Sequence, residues 1–419
     1  MFVRNSYIND YAVDAQWFLA LKDIKRPLLL HSLAIDSVVL EQEKEKVFAT
    51  VDYNPTFIYP QLDANKINIA RDELVKLRAE VCQKETDSSI LSLYREKLSE
   101  CILEQELLLA SVENRHADFE VLNLQLYGNL NSQYIAENVA VLQNRYHLFK
   151  NFLEDTHDIL PKPTQNDFEQ AKGLVTGPDI GAFLGTLLTS EELVDTWNKE
   201  IEKSLPDWKA VVDPSVVYML VDHKRRKIRI PKGVKVKPNK MRKLFVHEIG
   251  THVFRREQGK HSRLQLASIG LASYQPAEEG LAIMRAQLVS KRFYNYGGLD
   301  KYLTLALATG KLDGIPKNFS ETFSLLRDYY SARLERTLKS HLITRLAPER
   351  AWNSTLRVFR GGNPSLPGSC FMRDKIYHEG NRAMWSMVRT HPEYFLYVME
   401  GKFDPENKIQ RDAIERFRL

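Results

Sequence analysis

The chain has 419 residues, of which 43% are apolar and 27% charged, so it is neither wholly disordered nor membrane-embedded in character. Its 59 basic and 54 acidic residues leave a formal charge of +5, too mild and too scattered to mark a nucleic-acid binder. No apolar run approaches the roughly 20 residues of a membrane span. Arg4, Asp10 and Asp14 stand where a secretory leader would need an apolar stretch, so a cytoplasmic protein is expected. Cys82, Cys101 and Cys370 form no CxxC pair, and they read as packing residues rather than as metal or redox ligands.

In chain order, residues 1–210 read as a mostly helical N-terminal part, and 211–419 as the part that carries chemistry. Leu74, Leu77 and Val81 recur at helical spacing within Glu73–Gln83. Asp87 or Ser88 can cap a second helix that runs on through Ile90, Leu91, Tyr94 and Leu98 to Val112. Asn54-Pro55 and Tyr59-Pro60 predict an extended crossing segment over Val51–Leu62. The prolines and glycines of His157–Pro178 predict a long surface connection. Thr189 and Glu192 form a capping box for a helix ending near Ser204.

The texture changes at Val211. Ser215–Val221 reads as a buried strand, Asp222–Arg226 as a polar turn and Lys227–Ile230 as a half-buried strand, which together make a hairpin. Its tip, His223–Lys227, is basic; it reads first as a solvated turn and second as a docking patch for an acidic partner.

The segment Lys240–Gly259 comes after Pro238 and reads as a helix that stops at its final glycine. Within it, His247, Glu248 and His252 form H-E-x-x-x-H. Two histidines four residues apart share one face of a helix, but five residues carry the second about 140° round. One i→i+5 turn absorbs the extra residue, so a π-bulge is expected at Glu248–Thr251, eased by Gly250, with both imidazoles on one metal. A catalytic zinc takes three protein ligands. The helix opened by Gln275-Pro276 offers Glu278 and Glu279, which point about 100° apart, so only one can readily face the metal. His261 is the other candidate.

HEIGTHVFR (247–255), LQLASIGLASYQPAEEGLA (264–282), RAWNSTLRVFRG (350–361) and CFMRDKIYHEG (370–380) together resemble the microtubule-associated tyrosine carboxypeptidases and their bacterial QEGLA-motif relatives. The resemblance is strongest over about 211–400. It implies an α+β, mostly helical, gluzincin-like zinc metallopeptidase with a small sheet over the active-site helix. It also implies one Zn2+ per chain held by His247, His252 and Glu279, with Glu248 as catalytic base. Glu278 stands where the motif has glutamine, and is expected to steady a ligand histidine. Tyr377 and His378 are candidates for stabilising the oxyanion. Arg373, Arg360, Arg255 and Lys375 are candidates for holding a substrate carboxylate. The implied activity is removal of a C-terminal tyrosine or similar residue from a protein, including an acidic tail such as tubulin's. An endopeptidase or self-processing protease, and a non-enzymatic zinc-containing protein, remain the alternatives.

Overall fold

The computed structural model describes residues 10–26, 29–30, 35–59, 62–131, 133–134, 162–181, 187–216, 219–335 and 337–418. Its N-terminal helices are α1 (Ala15–Asp23), α2 (Ser37–Ala49), α3 (Ala64–Lys84), α4 (Ser88–Val112) and α5 (His116–Tyr127). The Asp87 carboxylate caps α4 by accepting the amides of Ser89 and Ile90, which fixes the break between α3 and α4. Residues 53–59 carry no helix or strand, in keeping with the two X-Pro steps; Pro60 lies outside the described residues.

The expected long connection before Pro178 needs correction. Within it Gln165–Leu174 forms α6, started by a capping box in which Thr164 and Asp167 satisfy each other's backbone amides. Pro161 and Pro163 precede the cap, Gly177-Pro178 follows the helix, and Gly173 falls in the last turn, where its cost is small. Residues 157–161 of that stretch lie outside the described residues. The Thr189–Glu192 capping box starts α7 (Ser190–Ser204) as expected.

Next in the chain comes a three-stranded sheet, in the order β1 (Lys209–Asp213), β3 (Lys227–Pro231), β2 (Leu220–Asp222). β1 runs parallel to β3, pairing Ala210 with Ile228 and Val212 with Ile230, while β2 and β3 form the expected antiparallel hairpin. The predicted strand Ser215–Val221 is corrected to Leu220–Asp222. Ser215 instead belongs to a turn in which its amide and hydroxyl bond Asp213, and Val217 and Tyr218 lie outside the described residues. β1 escaped the sequence reading because Lys209–Asp213 does not alternate cleanly. The sheet's buried side chains Ala210, Ile228 and Ile230 pack with Leu193, Trp197 and Ile201 of α7 against Met241, Phe245, Ile249 and Val253 of the next helix.

That helix, α8, has three parts: Pro238–Leu244, a π-helical stretch Phe245–Val253, and Phe254–His261. Gly259 is inside α8 and does not end it. A Cβ there would lie 2.6 Å from the Ala267 backbone, so the glycine serves close packing. Beyond come α9 (Gln275–Ser290), α10 (Leu299–Ala308), α11 (Phe319–Glu335), α12 (Ser340–Val358), α13 (Lys375–Thr390) and α14 (Lys408–Arg416). No helix among the described residues is long and apolar enough to cross a membrane.

The N-terminal helices share a core with the C-terminal part. Leu74, Val81, Leu93 and Leu98 pack with Leu264, Leu271, Phe403 and Ile414. Buried Asp14 accepts the amides of Gln265 and Leu266 at 2.8 and 2.9 Å and the Tyr94 hydroxyl at 2.8 Å, so a polar clasp ties the first helix to the loop after α8.

α9 and α13 touch backbone to backbone. A Cβ on Gly280 would meet the Gly380 carbonyl at 2.2 Å, and one on Gly380 would meet the Pro276 carbonyl at 1.9 Å. Neither contact can be relieved by rotating a side chain. Gly380→Ala should therefore lower stability by about 1–3 kcal/mol, the usual cost of overpacking, read as a lower denaturant midpoint.

Candidate active site

The π-helical stretch brings together what a regular helix would separate. The His247 and His252 rings have centroids 5.0 Å apart at an interplanar angle of 84°. From near the start of α9, the Glu279 Oε2 atom stands 3.8 Å from Nε2 of each histidine. Glu248 extends from the same π-turn, with Oε1 4.0 Å from His247 Nε2. Donor atoms of His247, Glu248 and His252 all fall within 4.8 Å of one another.

Glu278, one residue earlier on α9, faces the other side of the His252 ring. Its Oε1 lies 2.8 Å from His252 Nδ1. Its Oε2 accepts a hydrogen bond from Arg255, and Lys402 Nζ stands 3.2 Å from Oε1. Burial alone would raise this carboxyl's pKa, but Lys402, Arg255 and His252 outweigh it and hold the group far below the ordinary carboxylate range. An ionised carboxylate can only accept, so His252 donates from Nδ1 to Glu278 and presents Nε2 toward Glu279. Burial also opposes charging of His252, yet the Glu278 hydrogen bond and the charges of Glu279 and Glu278 raise its pKa overall. His247 goes the other way: burial, then the neighbouring His252, lowers it to about 4, leaving a neutral imidazole near pH 7.

This donor set fits a zinc ion. Two imidazole nitrogens and one carboxylate oxygen are the ligand types of a catalytic zinc site with one position open. Ligands about 2.0–2.2 Å from a tetrahedral zinc stand roughly 3.3–3.6 Å apart, so the 3.8 Å separations need only a small contraction. His261 is exposed at the end of α8 and does not line the site, so the geometry favours Glu279 as the third donor.

A cavity of about 440 Å³ opens over this cluster, lined by His247, Glu248, His252, Glu279, Ile283, Gly298, Lys301 and Tyr377. Tyr377 comes from the first turn of α13, carried there by the glycine contact with α9. Burial and the charge of Glu279 raise its pKa above the usual phenol value, so it is a hydrogen-bond donor at neutral pH. Lys301 Nζ sits 3.0 Å from the centre of the Tyr377 ring. Burial lowers the Lys301 pKa to about 8, against the pull of Asp374.

The other residues named from sequence fall around this cavity rather than in its wall. Arg373 is buried behind Glu279, with Nη2 3.9 Å from Oε1, and it donates through Nε to Gln275 at 3.2 Å. Lys375 bonds the Asn129 carbonyl at 2.5 Å and pairs with Glu379 at 3.1 Å. His378 is buried, with Nδ1 2.9 Å from the Gly297 carbonyl and its ring packed among Tyr134, Tyr296 and Tyr302. Burial lowers its pKa to about 4. Arg255 is committed to Glu278 and the Phe403 carbonyl, and Arg360 is not among the cavity's lining residues. Sequence reasoning missed Ile283, Gly298 and Lys301. Ile283 was within reach, being one helical turn past Glu279; Lys301 carried no motif.

Residues 186–295 match the family model of the microtubule-associated tyrosine carboxypeptidases. That segment runs from α7 through the sheet and α8 to α9, and so includes His247, Glu248, His252 and Glu279. It supports the family resemblance carried by the sequence motifs. Tyr377 and Arg373 lie beyond it. No curated protein and no solved structure matches the chain.

Glu278 offers a test that needs no substrate. Its folded pKa lies below its unfolded value of about 4.3, so its stabilising contribution is full above that pH and declines as pH falls toward the folded value. Glu278→Gln leaves Arg255 and Lys402 without their carboxylate. In the metal-free chain it should cost roughly 3–5 kcal/mol at pH 7. The gap from the parent chain should narrow below pH 4 in denaturant titrations.

Proposed function

We propose that this chain is a zinc-dependent metallocarboxypeptidase with a gluzincin-like site, removing a C-terminal tyrosine or similar aromatic residue from a protein substrate. The observation that carries the reading is the approach of Glu279 to within 3.8 Å of Nε2 of both His247 and His252, beside Glu248, in the lining of one cavity. The family match supports peptidase chemistry and the preference for tyrosine.

Zinc held by His247, His252 and Glu279 would supply Lewis acidity and bring the pKa of a water toward neutrality. Glu248, on the same turn and facing the same cavity, would take the proton as that water attacks the scissile carbonyl, and then give it to the departing amine. Tyr377, protonated and at the cavity wall, would donate to the developing oxyanion. Lys301 is the cation that lines the cavity, with Arg373 buried behind Glu279, so Lys301 takes the role of receiving the substrate's terminal carboxylate. Ile283 supplies apolar wall for an aromatic side chain. Glu278 fixes the His252 ring from behind.

An acidic tail such as tubulin's suits the basic hairpin tip. Burial, and after it the charges of Arg256, Lys402 and Lys260, lower the His223 pKa, in keeping with a basic surrounding at the tip. A cytoplasmic location goes with such a substrate.

The deciding experiment is mass spectrometry of peptides ending in free Tyr, amidated Tyr, Phe or Ala, with and without chelator. Release of free C-terminal tyrosine that chelator stops supports the reading. Equal cleavage of the amide favours the endopeptidase alternative. Glu248→Gln should retain zinc by elemental analysis yet lose about 10²–10⁴-fold in kcat. Lys301→Ala should raise KM for the free-acid peptide about tenfold or more, as expected for a lost charged hydrogen bond, with a smaller change in kcat.

A further inference from the structure

Arg285 has no part in the chemistry above, yet it is 4% exposed at the centre of the site's scaffold. A buried guanidinium normally finds a carboxylate. Among the described residues Arg285 hydrogen-bonds none. The charge of Asp179 reaches it, but that carboxylate is engaged with Arg242 at 2.8 and 2.5 Å. Arg285 instead donates to the Gly250 carbonyl, to Thr251 Oγ1 at 3.1 Å and to the Pro178 carbonyl at 3.3 Å. Thr251 in turn donates its hydroxyl to the Val246 carbonyl, five residues back, at 2.8 Å.

These acceptors are the backbone of the π-turn itself. The i→i+5 turn is a rare helical geometry, and here Arg285 and Thr251 add side-chain hydrogen bonds to two of its carbonyls, those of Gly250 and Val246. The Pro178 strap lies so close that a Cβ on Gly250 would meet its carbonyl at 2.5 Å. Arg285 therefore joins three segments: α9, the π-turn and the strap. Seven residues separate Glu278 from Arg285, which places both on one stripe of α9. Glu278 grips the His252 ring, and Arg285 grips the backbone two residues before it.

We propose that Arg285 is a positioning residue that latches the π-turn and so holds His247 and His252 on a common centre. The latch itself stands on the hydrogen bonds above; its consequence for zinc rests on the functional reading. The two separate experimentally. In the metal-free full-length chain, Arg285→Met should speed amide hydrogen exchange across residues 245–255 relative to the rest of α8. In chelator competition it should weaken zinc binding roughly tenfold or more, the cost typical of a group that orients metal ligands. The absorption bands of the cobalt(II)-loaded chain should shift as well. Arg285→Lys, which keeps the charge but not the planar fork, should recover part of each loss and serves as the informative variant if Arg285→Met does not fold.

Exchange at the wild-type rate in Arg285→Met, or in Arg285→Lys where the Met variant does not fold, overturns the latch. Wild-type zinc affinity together with an unchanged cobalt spectrum in Arg285→Met overturns its role in positioning the two histidines. If the parent chain binds no zinc while the variants still loosen the turn, the functional reading falls and the latch stands.

Discussion

The site depends on one local departure from helical geometry. His247 and His252 are five residues apart, and a regular α-helix would send them to different faces. The π-helical stretch Phe245–Val253 removes that conflict within a short span of chain. A π-turn is a rare departure from α-helical geometry, found mostly as a single turn inside an α-helix, and it persists where surrounding structure supports it. Here support comes from both sides: the sheet and α7 bury Phe245, Ile249 and Val253, while the opposite face meets α9 and the Pro178 strap. The juxtaposition of the two histidines and the packing of the core are thus the same constraint seen at two scales.

α9 organises the other half of the site. Adjacent residues on a helix point about 100° apart, and the chain uses that divergence to separate two carboxylates by role. Glu279 faces the cavity, where it approaches both histidines. Glu278 faces inward, where Arg255, Lys402 and His252 compensate its burial. The helix dipole adds to this arrangement, since both acids sit near the N-terminus of α9. The Gly280–Gly380 contact then brings α13 against the same end of the helix and so sets the distance from Glu279 to Tyr377.

Much of this was legible in the sequence because it is local. The H-E-x-x-x-H spacing demands a bulge by simple angular arithmetic, and the caps at Asp87 and Thr189 declare their helices without reference to anything distant. The Glu278/Glu279 choice was half legible: the helix period says that only one can face the metal, and the structure shows the other already engaged. The misreadings share a different cause. Gly259 looked like a helix stop because glycine serves turns and close approaches equally well, and only the third dimension reveals Ala267 against it. The prolines near residue 161 hid a helix that begins after them. Lys301 could not be found because it reaches the cavity from α10, which no motif ties to α8 or α9.

The arginines near the site show why residue type alone does not assign a role. Arg255, Arg285 and Arg373 are all buried close to the cluster, and each carries the same guanidinium. Their partners separate them. Arg255 neutralises Glu278, the acceptor for His252 Nδ1. Arg373 is held by Gln275 behind Glu279, with Nη2 3.9 Å from its Oε1. Among the described residues Arg285 hydrogen-bonds backbone carbonyls and a threonine hydroxyl and no carboxylate, which is the pattern of a group that holds shape rather than charge. Lys301, the cation in the cavity wall, is less strongly held, and burial brings its pKa down to about 8. Desolvation there outweighs the charges of Asp374 and Glu279, so an anion arriving in the cavity would favour the charged ammonium.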